Sequence, residues 1–237
     1  MHRKKTKKNS TAKIILLICF ITVLCFGAYK CVNLFLETKD SLATEFFSES
    51  KEIQNPDWNL ILINEENQVP KNYEVVLLDL SNGERVDTRI YPFLQKMFDD
   101  ARSEGIFPFV RAGYRTKDEQ KTLLDNTVYE YMNEGYSKSQ AKKMARDWVA
   151  LPGTSEHQLG IAVDINADQS RSTNETVYEW LKHNAHNYGF ILRYPPEKSD
   201  ITGIQYEPWH YRFVGEEVAR EIYTQGVCLE EYLQSIS

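Results

Sequence analysis

Ser155-Glu156-His157-Gln158-Leu159-Gly160-Ile161-Ala162-Val163-Asp164-Ile165 alternates in its second half, with Ile161, Val163 and Ile165 on one face and Ala162 and Asp164 on the other. That period of two predicts a strand whose apolar face meets the core, and Asp164 then points into a cleft. Gly160 stands where the chain needs a turn or a close backbone approach, so His157 can fold back beside Asp164 from the segment that enters the strand.

A second stretch, Glu207-Pro208-Trp209-His210, completes the constellation. Its carboxylate precedes its imidazole by three residues, and Pro208 resists a regular helix running through it. A mononuclear hydrolytic zinc is typically held by three N/O side chains with a fourth position left open. His157, Asp164 and His210 would supply the three ligands to one zinc per domain. Glu207 would lie beside the metal without binding it, as a general base for the attacking water.

A lone histidine is more often a surface or satisfied core residue than a ligand, and the chain has only five: His2, His157, His183, His186 and His210. His183 and His186 form a rival pair, three apart in a segment with Val177, Trp180, Leu181 and Ala185 at helical spacing. Two histidines on one helical face can bind metal. No glutamate sits between them, however, and Gly189 closes the helix as a C-cap. They read as surface or packing residues.

The pattern Ser-x-His-x-x-Gly-x-Ala-x-Asp followed by Glu-Pro-Trp-His resembles the signature of the D-alanyl-D-alanine carboxypeptidase family of zinc peptidases, the VanY-type enzymes and their L,D-carboxypeptidase relatives. Gly113-Tyr114-Arg115 with Gln120, Pro152-Gly153-Thr154 ahead of Ser155, Tyr188 to Pro195, Ile201-Thr202-Gly203-Ile204 and Leu229 to Leu233 are similar to that family as well. The similarity runs from about residue 56 to the C-terminus. It implies that His157, Asp164 and His210 bind zinc, that Glu207 activates the water, and that Arg115 steadies the scissile carbonyl and the oxyanion. A guanidinium suits that task because it stays charged and offers several donors in one plane. Ser155 and Gln120 would hydrogen-bond the substrate's terminal residue and its carboxylate.

The activity so implied is hydrolysis of the terminal D-Ala from stem peptides of peptidoglycan or from a lipid-linked precursor. The alternatives are L,D-carboxypeptidase trimming of tetrapeptide stems and a non-enzymatic zinc-binding domain. Retention of Glu207 and Arg115 beside three intact ligands speaks against the latter.

At 237 residues and 42% hydrophobic content the chain is long enough for one good-sized domain and an appendage. Residues 1–13 carry a basic cluster, Arg3, Lys4, Lys5, Lys7, Lys8 and Lys13, and Ile14 to Tyr29 then holds no charge. Residues 14–36 are expected to form a transmembrane signal anchor, with Lys30 snorkelling and the basic residues on the cytoplasmic side; the alternative is a signal peptide cleaved near Gly27-Ala28, although no clear Ala-x-Ala site is present. That would place the protein in the cell membrane as a single-pass chain, with its catalytic domain extracellular. Residues 37–55 read as a stalk and 56–237 as the zinc carboxypeptidase domain.

The net charge is −6, and six of the cations sit in the first thirteen residues, so the remainder is more acidic still. Nucleic acid is therefore not an expected partner. Cys19, Cys25 and Cys31 fall in or beside the apolar segment, which leaves Cys228 alone in the domain, without an intradomain disulfide.

Trp58 to Asn64 and Tyr73 to Leu80 read as strands, the second ended by Asn82-Gly83. Apolar residues at 93, 94, 97, 98 and 101 predict a helix. Phe107 to Tyr114 reads as a strand. Thr116-Lys117-Asp118-Glu119 and Ser137-Lys138-Ser139-Gln140 are capping boxes that open helices, the second running through Trp148. Phe190 to Tyr194 and Trp209 to Val214 are further strand candidates, and Gly215 to Gln225 a closing helix. The order predicts an α+β fold: a mostly antiparallel sheet with helices packed on one side and the zinc site in the cleft, plus the N-terminal transmembrane helix.

Overall fold

The computed structural model describes residues 58–236. Strands β1 (Leu77–Asp79) and β2 (Arg85–Asp87) pair antiparallel around the Asn82-Gly83 turn, where Gly83 takes a positive φ of 87°. Helix α1 (Tyr91–Ser103) follows, with Pro92 in its first turn and Leu94, Met97, Phe98 and Ala101 buried along one side. Next come β3 (Pro108–Ala112), α2 (Lys117–Asn133) and α3 (Lys138–Arg146). Both capping boxes are present: the Thr116 and Ser137 hydroxyls accept from the backbone N–H of Glu119 and Gln140, whose side chains accept in return. Caps of this kind contribute roughly 1 kcal/mol each.

A 3-10 turn over Glu156–Leu159 leads to β4 (Ala162–Ala167). Helix α4 (Asn174–Asn184), β5 (Phe190–Leu192), the short α5 (Ser199–Thr202), β6 (His210–Phe213), α6 (Glu216–Gln225) and α7 (Leu229–Ser235) complete the order. The main sheet runs β3-β4-β6-β5, antiparallel at every pair. It is the α+β arrangement of antiparallel sheets and helices that the sequence predicts.

Alternation along β4 and β6 sorts the two faces of this sheet. Val163 and Ile165 join Val110, Tyr211 and Phe213 in one core with the buried sides of α1 and α4. Each large apolar side chain so buried is worth roughly 1.5–3 kcal/mol. The residues between them, Asp164 on β4 and His210 and Arg212 on β6, face the other way and build the polar side. Ile191 shares that side through its pairing with Arg212. It anchors a smaller cluster with Val214, Ala219, Ile222, Leu229 and Tyr232, which carries α6 and α7. The expected one-sided packing thus describes α1 and α4 but not the two C-terminal helices.

Three further expectations change. The segment 58–64 is not a strand. Its carbonyls at Asn59 and Ile61 accept from the Arg212 guanidinium, which takes the place of a neighbouring strand. The strands at 73–80, 107–114, 190–194 and 209–214 are shorter than read, and α3 stops at Arg146. The single-pass membrane location is corrected: among the described residues no helix is long and apolar enough to cross a membrane. The expected anchor at 14–36, with the basic segment and the stalk, lies outside the described residues.

Candidate active site

Asp164 and His210 are register partners across the β4–β6 ladder, so both side chains leave the sheet on one face. His210 Nδ1 lies 3.1 Å from Asp164 Oδ1, and His157 Nε2 lies 3.4 Å from the same oxygen. His157 arrives from the 3-10 turn, which Gly160 ends in the left-handed region at φ 73°. A Cβ at Gly160 would also press on Val75 Cγ2 at 3.0 Å and Asp87 N at 3.1 Å, so this position needs glycine twice over.

The imidazole of His157 is oriented by its other nitrogen. Nδ1 stands 2.7 Å from the carbonyl oxygen of Gly113. A carbonyl can only accept, so Nδ1 carries the hydrogen and Nε2 keeps its lone pair. Gly113 itself lies tight against β2: a Cβ there would fall inside the Arg85 carbonyl oxygen.

The donor set fits a metal. One ligand atom each from His157, Asp164 and His210 lies within 4.8 Å of the other two. His157 Nε2 and Asp164 Oδ1 are buried and lack any hydrogen-bond partner, a costly state unless a cation meets them. Two imidazoles and one carboxylate match zinc's preferred ligands. Charge agrees: burial would lower His210, yet Asp164, Glu156 and Glu207 together push it up to about 9. Burial would raise Asp164, but His157 and His210 hold its carboxyl well below the usual range. Burial, helped by Arg115, pushes His157 down to about 4, which keeps its ring neutral. The pocket favours positive charge at the point where the three residues meet.

Glu207 lies just outside this cluster, with Oε2 3.6 Å from His210 Nδ1. Burial pushes its carboxyl up to about 7, against the opposing pull of His210 and Arg115. Such a carboxylate can accept and return a proton near neutral pH. Arg115 follows the end of β3. Its Nη1 donates to Gln120 Oε1 at 2.7 Å and its Nη2 reaches Asp164 Oδ2 at 3.5 Å, while its buried Nε has no partner. Gln120 is the one buried residue of α2, and its amide nitrogen donates to Ala150 O at 2.8 Å. Ser155, also buried, sits beside His157 in the wall of the same cavity.

That cavity measures about 240 Å³. All seven residues singled out from sequence line it: Arg115, Gln120, Ser155, His157, Asp164, Glu207 and His210. Leu123, Trp148, Val149, Ile204 and Trp209 add apolar wall, and Tyr194 places its ring 4.8 Å from that of His210. Tyr194 and Trp148 went unassigned in sequence; Tyr194 falls in a stretch similar to the family but carries no spacing signal of its own. His183 pairs with Glu179 at the surface, and His186 stacks on Tyr223 at 3.7 Å, so neither joins the cluster.

Fold and cavity together define a mononuclear metallohydrolase. Comparison with known proteins narrows the class. Residues 83–216 match the family model described as VanY, D-alanyl-D-alanine carboxypeptidase, and the chain belongs to that family. It is 56% identical over 179 residues to a D-alanyl-D-alanine carboxypeptidase of Enterococcus faecalis, covering 76% of this chain and 67% of the relative. Among solved structures it is similar to VanYB in complex with D-alanine-D-alanine, at 56% identity and a TM-score of 0.75, over 76% of this chain and 99% of that one. It is also similar to a mutant of the vancomycin resistance D,D-pentapeptidase VanY in complex with Zn(II), at 57% identity and a TM-score of 0.73, over 74% and 99%. The chain is a zinc metallo-carboxypeptidase of the D-alanyl-D-alanine type.

Proposed function

We propose that residues 56–237 form the catalytic domain of an enzyme that removes the terminal D-Ala from peptidoglycan stem peptides or their lipid-linked precursors. The observation that carries this reading is the convergence of His157 Nε2, Asp164 Oδ1 and His210 Nδ1 on one point, with Glu207 and Arg115 at its edge. Zinc, when bound there, supplies Lewis-acid polarisation of the scissile carbonyl and makes water more acidic.

Glu207 takes a proton from the attacking water as the new C–O bond forms. The C–N bond to the terminal D-Ala then breaks, and Glu207 returns the proton to the leaving amine. The raised carboxyl of Glu207 supports both transfers. Arg115 faces the oxygen that gains negative charge, and its position is held by Gln120 on one side and Asp164 on the other. Gln120 keeps one amide hydrogen beyond the bond to Ala150 O, and with the Ser155 hydroxyl it receives the terminal carboxylate of the substrate. Leu123, Trp148 and Trp209 supply apolar wall in the same cavity for the methyl groups of the D-Ala residues.

Mass spectrometry of a free-ended L-Lys-D-Ala-D-Ala stem incubated with the zinc-loaded chain tests the reading. The expected product is the stem shortened by one D-Ala. An unchanged pentapeptide stem beside efficient trimming of the tetrapeptide would move the enzyme to L,D specificity, and no product from either would overturn the assignment.

A further inference from the structure

Glu156 is fully buried, and its two oxygens have different company. Oε1 accepts from Arg193 Nε at 2.8 Å and lies 3.0 Å from Arg212 Nη1. Oε2 has no hydrogen-bond partner, and neither has His210 Nε2; the two atoms face each other at 3.7 Å. Both arginines are themselves tied down. Arg193 forms a two-pronged pair with Glu230 of α7, at 2.6 and 2.9 Å. Arg212 donates to the carbonyls of Asn59, Ile61 and Phe213. Glu156 is thus clamped from one side, with its spare oxygen aimed at the back of the His210 ring.

The front of that ring offers Nδ1 to Asp164 and Glu207. A neutral imidazole carries one hydrogen, and if Nδ1 gives its lone pair to a metal, Nε2 must hold it. Among the described residues, the carboxylate placed to receive that hydrogen is Glu156. From 3.7 Å the two atoms close by about 0.8–1.0 Å to reach the ~2.7–2.9 Å of a charge-assisted hydrogen bond.

We infer that Glu156 is a positioning residue for the metal centre: its Oε2 accepts a hydrogen bond from His210 Nε2–H, which fixes the ring's tautomer and presents the Nδ1 lone pair to the metal. The inference rests on the zinc reading above. His157 is served in the same way by a carbonyl, that of Gly113, so the two histidines present opposite nitrogens from opposite supports. Carboxylate supports of this kind raise the basicity of a ligating histidine, and their loss typically weakens metal binding by about 10–100-fold. Glutamine at this position cannot accept from both arginines and the histidine at once, because its amide end only donates.

The test compares zinc dissociation constants of the full chain by competition with a chelator. Glu156→Gln should weaken zinc by about 10–100-fold. Glu230→Gln, which loosens the same arginine without touching His210, should stay within a few-fold of the unsubstituted chain. Equal weakening in both variants, or none in Glu156→Gln, overturns the inference. An unsubstituted chain that binds no zinc instead strikes the metal reading itself. Nitrogen-15 spectra of the zinc-loaded unsubstituted chain decide the matter even if Glu156→Gln fails to fold. They should show His210 protonated at Nε2 and metal-bound at Nδ1, and the reverse pattern overturns the inference.

Discussion

Arg115 and Gln120 form a pair in which Gln120 Oε1 accepts from Arg115 Nη1 at 2.7 Å, at the point where the chain leaves β3 and enters α2. The capping box of Thr116 and Glu119 lies between them and sets the angle at which the helix starts. The guanidinium is therefore aimed into the cavity by the start of a helix rather than by a flexible loop. Arg115→Lys keeps the charge but loses the planar fork, so one ammonium cannot serve Gln120, Asp164 and the developing oxyanion together. A fall in kcat/KM of about 10²–10³-fold is expected, with zinc content unchanged, since removal of a single oxyanion donor typically costs that much. Activity near that of the unsubstituted enzyme would remove Arg115 from the chemistry.

Glu207→Ala separates binding from turnover. The residue sits at 3.6 Å from His210 Nδ1 but outside the three-atom cluster. Its loss should leave zinc stoichiometric and substrate binding measurable, while turnover falls by about 10²–10⁴-fold or more. A variant that also loses its zinc would make Glu207 a ligand.

Gly113→Ala tests the support behind His157. A Cβ there collides with the backbone oxygen of Arg85, so β2 and the end of β3 must move apart. Overpacking of this kind costs roughly 1–3 kcal/mol, and it shifts the carbonyl that orients His157. The melting temperature should fall by several degrees and zinc affinity should fall with it. Unchanged values of both would show that the close approach is not needed.

A free carboxylate at the end of the substrate is required if Ser155 and Gln120 receive it. The C-terminally amidated L-Lys-D-Ala-D-Ala stem gives up a charge-assisted hydrogen bond and should be cleaved far more slowly than the free-ended one. Equal rates on the two stems in one assay would indicate an endopeptidase.

Much of the site is legible in the sequence because its chemistry is carried by local pattern. Alternation around Asp164 announces a strand, and Gly160 marks the turn that returns His157 to it. Both helix starts at Thr116 and Ser137 are written as four-residue boxes whose bonds involve no distant partner. What escapes is long-range. Glu156 stands beside a ligand in the quoted stretch, yet its partners Arg193 and Arg212 come from β5's end and β6, and no spacing rule connects them. Residues 58–64 are apolar enough to read as a strand, but the Arg212 guanidinium satisfies carbonyls that a strand would otherwise pair. The packing of α6 and α7 around Ile191 is likewise a tertiary choice: a three-residue strand has too few positions for alternation to say which face is covered.

The central claim is that His157, Asp164 and His210 hold one catalytic zinc. Elemental analysis of the purified chain and of His210→Ala, each dialysed against the same trace zinc buffer, tests it most directly. One zinc per unsubstituted chain and none in His210→Ala, with D-Ala release lost in parallel, is the predicted result. Full zinc occupancy in His210→Ala would contradict it.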